Sequence, residues 1–587
     1  MATSCAFTKF HMRGTLLKNP QKVDRFLCRT VRTVASAKSE VFHAGGHRSL
    51  SALQEERFQQ AERSVLIGYH SRINEQTFLK NLSRHGDIKK YFFYESYGVY
   101  ALVEFTNRES VASLLDEAVI PTCNHEATVP FKSRLLSVKN LDSADHLNLQ
   151  LNQQFQPQTS MPINQLIKRL AKEKTVEQQL ISLTEAYQLT EENSRLRFLV
   201  CSLIRDLAST YFPECTIKPF GSSVNGFGKL GCDLDMILDI DGTSISKVKP
   251  KSGLSMEFQL KRVSSERVVT QSMLSVIGES LDRFAPGCVG IQKILNARCP
   301  LLRFAHQPSG FQCDLTANNR VAVKSTELLY LYGELDPRVR FLVFTVRCWA
   351  RVHNITSNIP GAWITNFSLT VMVLFFLQKR NPPIIPTLDH LKKLAGPADR
   401  SVVEGNDCTF VRDFSKVLLQ KNSNTLEDLL REFFDFYATF PFSNMSINIR
   451  TGKEQHKPEV APLHIQNPFE SSLNISKNVN NSQLDRFIAL CQETSWLLQQ
   501  SETMIPRAGD QGDNPTPWGL ASLLLPSQVV AVKSRKETTG ASQREDQEFT
   551  GIFKEYQVNK KLRRLLYLRL CLFLHLFLGC IPFADFL

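Results

Sequence analysis

The segment from Phe220 to Leu238 constrains the fold and chemistry of this chain more than any other stretch. A Phe220-Gly221-Ser222 turn opens it, Cys232-Asp233-Leu234-Asp235 follows, and the apolar run Met236-Ile237-Leu238 closes it. Residues i and i+2 of a strand share a face, so the carboxylates of Asp233 and Asp235 point in the same direction. A divalent cation bound to a triphosphate needs such paired oxygen ligands, and glycines let main-chain amides approach phosphate oxygens.

A third acid strengthens this interpretation, because two acids on a strand edge are common by themselves. Asp314 lies within Phe311-Gln312-Cys313-Asp314-Leu315, which has the pattern of a strand. Three carboxylates on adjacent strands can hold two Mg²⁺ or Mn²⁺ ions, the arrangement used to transfer nucleotides. We expect the triphosphate to lie over Gly221 and Ser222, bonded by main-chain amides and the Ser222 hydroxyl.

Length and charge set broad limits on the rest of the chain. At 587 residues it is too long for one core, so three or four domains are expected. A net charge of +13 favours nucleic acid or an anionic membrane as a partner. The 14 cysteines show neither C-x-x-C pairs nor zinc spacing, which indicates reduced thiols inside a cell.

The N-terminal segment is basic and almost free of acids. Residues 1–39 contain eight Lys and Arg but only one acid, Asp24, and they include several Ser and Thr. This composition is typical of a mitochondrial transit peptide, and we place it at residues 1–40. The alternative is a basic arm that touches nucleic acid.

Residues 61–140 show a β-α-β-β-α order that resembles an RNA recognition motif. The strands are predicted at Ser64 to Tyr69, Tyr91 to Tyr94 and Tyr100 to Phe105. Such a module stacks bases on aromatic residues, but the three corresponding positions here are Leu66, Tyr100 and Leu102. An apolar open face suits a protein better than a base, so we expect a degenerate module that mediates dimerisation. Direct RNA binding is the alternative.

The remaining chain divides by composition and periodicity. A linker rich in Asn and Gln is expected at 141–165, a catalytic domain at 166–325 with a polar insertion at about 242–267, and a helical central domain at 326–504. Asp336-Pro337 is a typical helix start. The apolar run from Phe367 to Leu377 is too short to span a bilayer and is most simply a buried core helix. We expect a linker and an atypical apolar tail at 505–587. Arg569, His575 and Pro582 argue against a membrane span in the tail.

Taken together, the motifs resemble those of polymerase-β-like nucleotidyltransferases, in the branch of template-independent poly(A) and poly(U) polymerases. The resemblance extends from about Val200 to Gln500. It is carried by Phe220-Gly221-Ser222, Cys232-Asp233-Leu234-Asp235, Cys313-Asp314-Leu315, Asn318-Asn319 and Asn467-Pro468-Phe469-Glu470. It implies an α+β, multidomain architecture with a nucleotidyltransferase palm, a helical central domain and the preceding RNA-recognition-motif-like module.

The resemblance also implies roles for individual residues. Asp233, Asp235 and Asp314 would be the metal ligands, with Asp314 also accepting the proton of the 3′-hydroxyl. Asn319 would face the ribose. The two lysines that contact the triphosphate in this family correspond here to Arg347 and Arg351. Arginine keeps the charge and adds bidentate phosphate contacts. The alternative for both is a solvated helix face.

Two positions bear on the base. Asn366-Phe367 stands where the family often has Ser-Tyr, so Phe367 can stack on a base but offers no hydroxyl. Uridylyl-transferring relatives often have a histidine before the asparagine that follows Pro-Phe, whereas Leu473 precedes Asn474 here. An apolar residue cannot supply that hydrogen bond to uracil, which favours ATP over UTP.

These observations lead to one functional expectation. The chain is expected to be a template-independent adenylyltransferase that adds AMP from ATP to 3′ ends of RNA in the mitochondrial matrix. It would act as a homodimer through the RNA-recognition-motif-like module, without a membrane span. Two alternatives are a terminal uridylyltransferase of the same fold and a catalytically silent RNA-binding scaffold. The scaffold has no need to keep three mutually repelling carboxylates together.

Overall fold

The computed structural model describes residues 48–69, 74–120, 132–138, 155–240, 265–359, 361–501 and 516–525. All of these belong to one compact unit of the chain. The predicted transit segment 1–40, nearly all of the predicted insertion at 242–267 and the apolar tail from Leu565 to Ala584 lie outside the described residues. No helix in the described segments is long and apolar enough to cross a membrane.

The N-terminal module has the β-α-β-β-α order that the sequence predicts, with a helix in front and a short strand behind. Its elements are α1 (Leu50–Glu62), β1 (Ser64–Tyr69), α2 (Glu75–Leu82), β2 (Ile88–Glu95), β3 (Val99–Phe105), α3 (Arg108–Glu117) and β4 (Leu135–Ser137). The sheet order is β2-β3-β1-β4. Strand β3 runs antiparallel to β1 and β2, and β4 runs parallel to β1.

A five-stranded sheet with helices forms the palm. The next elements are α4 (Ile163–Leu170), α5 (Val176–Tyr187), α6 (Glu191–Ala208), β5 (Thr216–Pro219), β6 (Leu234–Asp239), α7 (Glu266–Phe284), β7 (Cys288–Ile294), β8 (Leu301–His306) and β9 (Phe311–Ala317). The sheet order is β5-β6-β9-β8-β7. Strands β6 and β9 are parallel, and the other neighbours are antiparallel. The apolar run after the aspartate pair forms β6 because Met236 and Leu238 are fully buried against the core.

Helices dominate the C-terminal part of the fold. Its elements are α8 (Arg320–Leu335), α9 (Pro337–Val352), α10 (Asn366–Gln378), α11 (Leu388–Lys393), β10 (Val402–Val403), β11 (Asn406–Asp407), α12 (Leu426–Thr439), β12 (Met445–Ser446), β13 (Gln455–His456), α13 (Asn481–Ser501) and α14 (Leu520–Leu523). Asp336 caps α9 by accepting a hydrogen bond from the amide of Arg338 at 2.9 Å, as the Asp-Pro pair predicts. Helix α10 is the predicted buried helix, with every residue from Leu369 to Leu377 buried.

The prediction of an open apolar face on the N-terminal module is wrong. Leu66 and Leu102 are buried, and they pack into the same core as α6 and the palm sheet. The hydroxyl of Tyr94 donates to the carbonyl of Pro308 at 2.8 Å and is also buried. Short apolar side chains occupy this face because the catalytic domain of the same chain covers it.

The observed layers also differ from the predicted domain boundaries. Helices α4 and α5, predicted within the catalytic domain, bury Leu166 and Leu180 in the core of the helical domain. The segment 516–525, predicted as linker, returns to these helices, where the Trp518 indole donates to the carbonyl of Ala171 at 3.1 Å. The predicted linker at 141–165 is described from Phe155 onward, and α4 begins within it at Ile163. The last two segments were predicted as linkers because their composition is mostly polar, and only a few apolar residues make the contacts.

Candidate active site

The three aspartates meet where the start of β6 lies beside the middle of β9. The parallel register aligns Asp235 directly with Asp314. Asp233 comes two residues before Asp235, so the extended chain turns both carboxylates to the same side. The predicted acidic cluster is therefore formed by two neighbouring strands of one sheet.

The carboxylates of this cluster disturb each other's ionisation. Burial, followed by the charges of Asp314 and Asp233, raises the pKa of Asp235 to about 7. Burial and Asp314 also raise the pKa of Asp233, while Arg303 and Arg197 oppose the increase. Like charges brought together in a partly desolvated site favour protonation or a bound cation.

Arg303 on β8 holds the third carboxylate. It lies opposite Asp314 in the antiparallel register, and its guanidinium donates from Nε at 2.8 Å and from Nη2 at 2.6 Å. As the side chains stand, no group of three or more His, Cys, Asp or Glu residues in the described segments is arranged to hold a metal ion. The donor set nevertheless suits Mg²⁺ or Mn²⁺, since it consists of hard oxygen ligands whose repulsion a cation would relieve.

The Gly-Ser turn stands against the aspartate pair. Residues Gly221–Ser223 form one turn of 3₁₀ helix after β5, and Gly221 has a φ of +62°. A Cβ at this position would lie 3.0 Å from Oδ2 of Asp235. The Gly221 amide already donates to Thr326 Oγ1 at 2.9 Å, so the glycine provides close approach rather than a free donor. The Ser222 hydroxyl lies 3.5 Å from the Cys232 sulfur and faces the cleft.

Beneath the aspartates, a fully buried arginine fixes the main chain. The guanidinium of Arg197 on α6 donates to the carbonyl of Asp233 at 2.9 Å and to the carbonyl of Cys232 at 2.7 Å. It also donates to Ser223 Oγ at 2.9 Å, and thus joins the Gly-Ser turn to the aspartate pair. Its positive charge lowers the pKa of Asp235, opposing the larger effect of burial.

A cleft of about 890 Å³ opens beside the aspartates, and most of the predicted nucleotide-binding residues line it. Those that do are Gly221, Ser222, Asn319, Arg347, Arg351 and Phe367. Of the predicted metal ligands, Asp233 and Asp235 line the cleft, and Asp314 does not. Leu473 does not line it; its amide donates to the carbonyl of Glu470, which does. The structure therefore brings together the phosphate and ribose candidates, and leaves the base-choice candidate in a turn nearby.

The two arginines of α9 are in different situations. Arg347 donates to the carbonyl of Phe227 at 2.7 Å and to the carbonyl of Asn366 at 3.2 Å, which connects the Gly-Ser loop to the start of α10. Burial lowers the pKa of Arg347 to about 10. Arg351 is exposed, and its guanidinium donates to Asn358 Oδ1 at 3.0 Å. Of the two arginines predicted to contact phosphate, Arg347 is therefore largely structural, and Arg351 is accessible.

Sequence reasoning missed three cations at this site. They are Arg197, Arg303 and Lys229, the last of which lines the cleft. A signal existed for two of them, because a charged residue inside an apolar helix or strand, as in Leu301-Leu302-Arg303-Phe304, indicates a buried partner. Lys229 lies between the Gly-Ser turn and Asp233, in the segment that carries the motif itself.

Comparison with known proteins agrees with this geometry. Residues 176–334 match the family model described as "Poly(A) RNA polymerase, mitochondrial-like, central palm domain", and residues 49–119 match that of the RL domain. The chain is 56% identical over 480 residues to "Poly(A) RNA polymerase, mitochondrial" of Mus musculus, covering 82% of this chain and 81% of the relative. It is 53% identical over 513 residues to the protein of that name from Homo sapiens, covering 87% of each chain.

A solved structure matches the fold over most of the chain. The crystal structure of mtPAP in complex with ATPγS is 51% identical to this chain and has a TM-score of 0.77. The match covers 82% of this chain and all of that one. The same protein has also been crystallised in complex with UTP, with a TM-score of 0.76.

Proposed function

Since the chain belongs to the family of mitochondrial poly(A) RNA polymerases, we propose that it is a template-independent adenylyltransferase that adds AMP from ATP to RNA 3′ ends. The observation that carries the proposal is the pairing of Asp235 with Asp314 across β6 and β9, next to the Gly-Ser turn. The two neighbouring strands bring three carboxylates together, and Asp233 and Asp235 line the cleft in which a triphosphate can lie.

Each side chain then has a task. Asp233, Asp235 and Asp314 would hold two Mg²⁺ or Mn²⁺ ions, which supply charge neutralisation at the transferred phosphorus and activate the attacking hydroxyl. Asp314 accepts the proton of the RNA 3′-hydroxyl, and to do so its carboxylate must leave Arg303. The hydroxyl of Ser222 donates a hydrogen bond to the triphosphate. Because residue 221 is a glycine, the turn can lie close enough to Asp235 for the triphosphate to contact both.

The nucleoside is held on the opposite wall. Asn319 at the start of α8 is placed to bond the ribose, and Phe367 in the first turn of α10 offers a ring for the base to stack on. Arg351 extends toward the phosphates from α9. These contacts hold the α-phosphorus of ATP in front of the 3′-hydroxyl, which is most of what a template-independent transferase must do.

Leu473 is proposed to favour adenine over uracil. The change Leu473→His should shift nucleotide preference toward UTP, because a histidine at this place can bond the uracil edge. Relative kcat/KM for ATP and UTP, measured with one RNA primer, is the appropriate readout. An unchanged ratio of kcat/KM for ATP and UTP would show that Leu473 does not determine which nucleotide is added.

Location and assembly complete the proposal. Residues 1–40 direct the chain to mitochondria, where its substrates are transcripts in the matrix. The chain forms a homodimer through its N-terminal module. At the outer edge of its sheet, Phe93 of β2 pairs with Phe155, whereas Lys89, Lys90 and Tyr91 at the start of β2 are exposed. An edge strand has unpaired main-chain groups that a second copy can pair with.

Primer extension with each of the four nucleotides in turn tests the activity. Incorporation is a stricter test than binding, because mtPAP crystals have been obtained with UTP, GTP and CTP as well as ATPγS. We expect long extension with ATP alone. Extension with UTP instead would indicate a uridylyltransferase, and RNA binding without extension would indicate a scaffold.

A further inference from the structure

Lys229 lines the cleft that also contains Ser222. Main-chain hydrogen bonds of the residues on either side of it, Gly228 and Leu230, fix its position. The amide of Leu230 donates to the carbonyl of Tyr187 at 2.8 Å, and the amide of Leu189 donates to the carbonyl of Gly228 at 3.1 Å. These bonds fix the loop on the connection between α5 and α6. The Lys229 ammonium lies 5.6 Å from the centre of the Tyr187 ring.

The same corner of the cleft contains Arg351. The hydroxyl of Tyr187 lies next to the thiol of Cys348 on α9. Arg351 follows Cys348 by three residues, so the two side chains lie on the same face of the helix. On the other side, Cys232 connects the corner to Ser222. Lys229 and Arg351 thus approach the cleft from two domains, next to the serine proposed to bond the triphosphate.

Neither positive charge at this corner forms an ion pair with a carboxylate of the described residues. By contrast, Arg298, which lines the cleft, pairs with Glu470, and Arg303 pairs with Asp314. Burial and the charge of Arg351 lower the pKa of Lys229. Two neighbouring cations in a partly desolvated cleft form a site that an anion stabilises.

The strand order indicates which anion this is. In the palm sheet β6 separates β5, which leads into the Gly-Ser turn, from β9, which carries Asp314. The RNA 3′-hydroxyl must reach Asp314, so the primer enters on the β9 side. The corner with Lys229 is on the β5 side, where the triphosphate lies over Ser222.

We propose that Lys229, together with Arg351, binds the terminal phosphates of ATP and receives the departing pyrophosphate. This rests on the proposed adenylyltransferase function. It also reassigns one contact, because Arg347, the sequence counterpart of a phosphate-binding lysine, donates to two main-chain carbonyls instead. Lys229 supplies the second phosphate-binding cation, from the catalytic domain rather than from α9.

The test compares nucleotides that differ only in their phosphates. Binding of ATPγS and of AMP is measured with Mg²⁺ and without RNA, for wild type, Lys229→Met and Lys229→Arg. We expect Lys229→Met to weaken ATPγS about tenfold or more, as loss of a charge-assisted hydrogen bond does, and to leave AMP unchanged. Lys229→Arg should retain most of the affinity. Lys218→Met, at an exposed lysine of β5 outside the cleft, is the matched control and should match wild type.

Several results would overturn the assignment. These are an unchanged affinity of Lys229→Met for ATPγS, an equal loss for AMP, and a raised KM for RNA with an unaltered KM for ATP. The last would place an RNA phosphate at Lys229. Melting temperature monitors folding, and Lys229→Gln replaces the Met variant if that one is unstable.

Wild-type incorporation is measured on the same preparation. A wild type that binds ATPγS but adds no adenylate would refute the proposed function, while the comparison of ATPγS with AMP would still decide the role of Lys229.

Discussion

At the scale of single residues, the site depends on groups that shape the main chain as much as on the aspartates. Gly221 is the sharpest case, because its φ of +62° and the 3.0 Å approach of Asp235 both exclude a side chain. We expect Gly221→Ala to reduce kcat by at least about 100-fold, since displacing a reacting group by an ångström has an effect of that order. Steady-state primer extension with ATP measures this.

A control separates strain from a specific effect at the site. Gly290 on β7 has a φ of +66°, and no atom outside its chain neighbours lies within 4 Å of the place that a methyl group would take there, so it carries similar strain away from the cleft. Gly290→Ala should therefore lose stability but keep most of its kcat. Equal kcat for Gly221→Ala and wild type would show that the turn does not position Asp235.

Arg197 gives a second prediction at this scale. Its guanidinium holds the carbonyls of Cys232 and Asp233, and no other side chain has its planar set of donors. We expect Arg197→Lys to lower kcat more than tenfold while KM for ATP changes little, because ATP does not touch this side chain. The measurement is the separate determination of kcat and KM. A rise in KM with constant kcat would contradict a positioning role.

The roles of the motif residues could be predicted from the sequence because their residue types and spacing are typical of a metal and triphosphate site. Asp233, Asp235 and Asp314 are such residues, and the parallel register places two of them side by side. The supporting cations could not be predicted in the same way. Arg303 and Lys229 acquire their roles from the strand order and from the packing of α5 on α9, which no short pattern encodes.

At the scale of elements, the N-terminal module is joined to α6 by a buried ion pair. Glu104 on β3 is fully buried and pairs with Arg63 at 2.8 Å and with Arg195 on α6. Removing the negative charge leaves Arg63 without this buried partner and Arg195 with only the partly exposed Glu191. Glu104→Gln should therefore lower the free energy of unfolding by about 3–5 kcal/mol. Urea denaturation measures it.

The control for this prediction is Glu95→Gln, at an exposed position on β2 of the same module. It should change stability by less than about 0.5 kcal/mol, as surface substitutions usually do. If both variants unfolded at the same urea concentration, the ion pair would not join the module to the palm.

Element types were predictable where periodicity was strong. The strand predicted at Ser64 to Tyr69 is β1 with the same ends, and Asp336-Pro337 begins α9. Periodicity could not predict which element packs against each apolar face. Leu66 and Leu102 were expected to be exposed and to bind another protein, but they pack in one core with α6. Alternation identifies a buried face but not what buries it.

At the scale of the whole molecule, the N-terminal module and the palm share one core. Tyr94, Leu66 and Leu102 lie in it together with Leu199 of α6 and Phe304 of β8. We expect deletion of residues 61–140 to expose this apolar surface and to make the remaining chain aggregate, rather than to yield an active monomer. Light scattering of the purified deletion variant measures this. A soluble, monodisperse and active product would show that the palm core is complete without the module.

Self-association therefore needs a gentler test than deletion. A proline at Tyr91 removes one outward-facing main-chain donor of edge strand β2 and leaves the buried face intact. The main chain of Tyr91 faces away from β3 because Phe93, two residues later, accepts a hydrogen bond from the amide of Gln156 on that side. We expect Tyr91→Pro to shift the population from dimer to monomer in sedimentation analysis. Tyr91→Ala is the control and should stay dimeric. Persistent dimers in Tyr91→Pro would place the interface elsewhere.

The central claim is that three carboxylates on β6 and β9 carry out adenylyl transfer. Primer extension with ATP and Mg²⁺, comparing wild type with Asp314→Asn, tests it most directly. Asparagine keeps the shape of the side chain, and equal melting temperatures and equal ATPγS binding would confirm an intact fold and cleft. We expect long adenylate tails with wild type and at least about a 1,000-fold lower rate with Asp314→Asn. Tails of similar length and rate from the folded variant would contradict it.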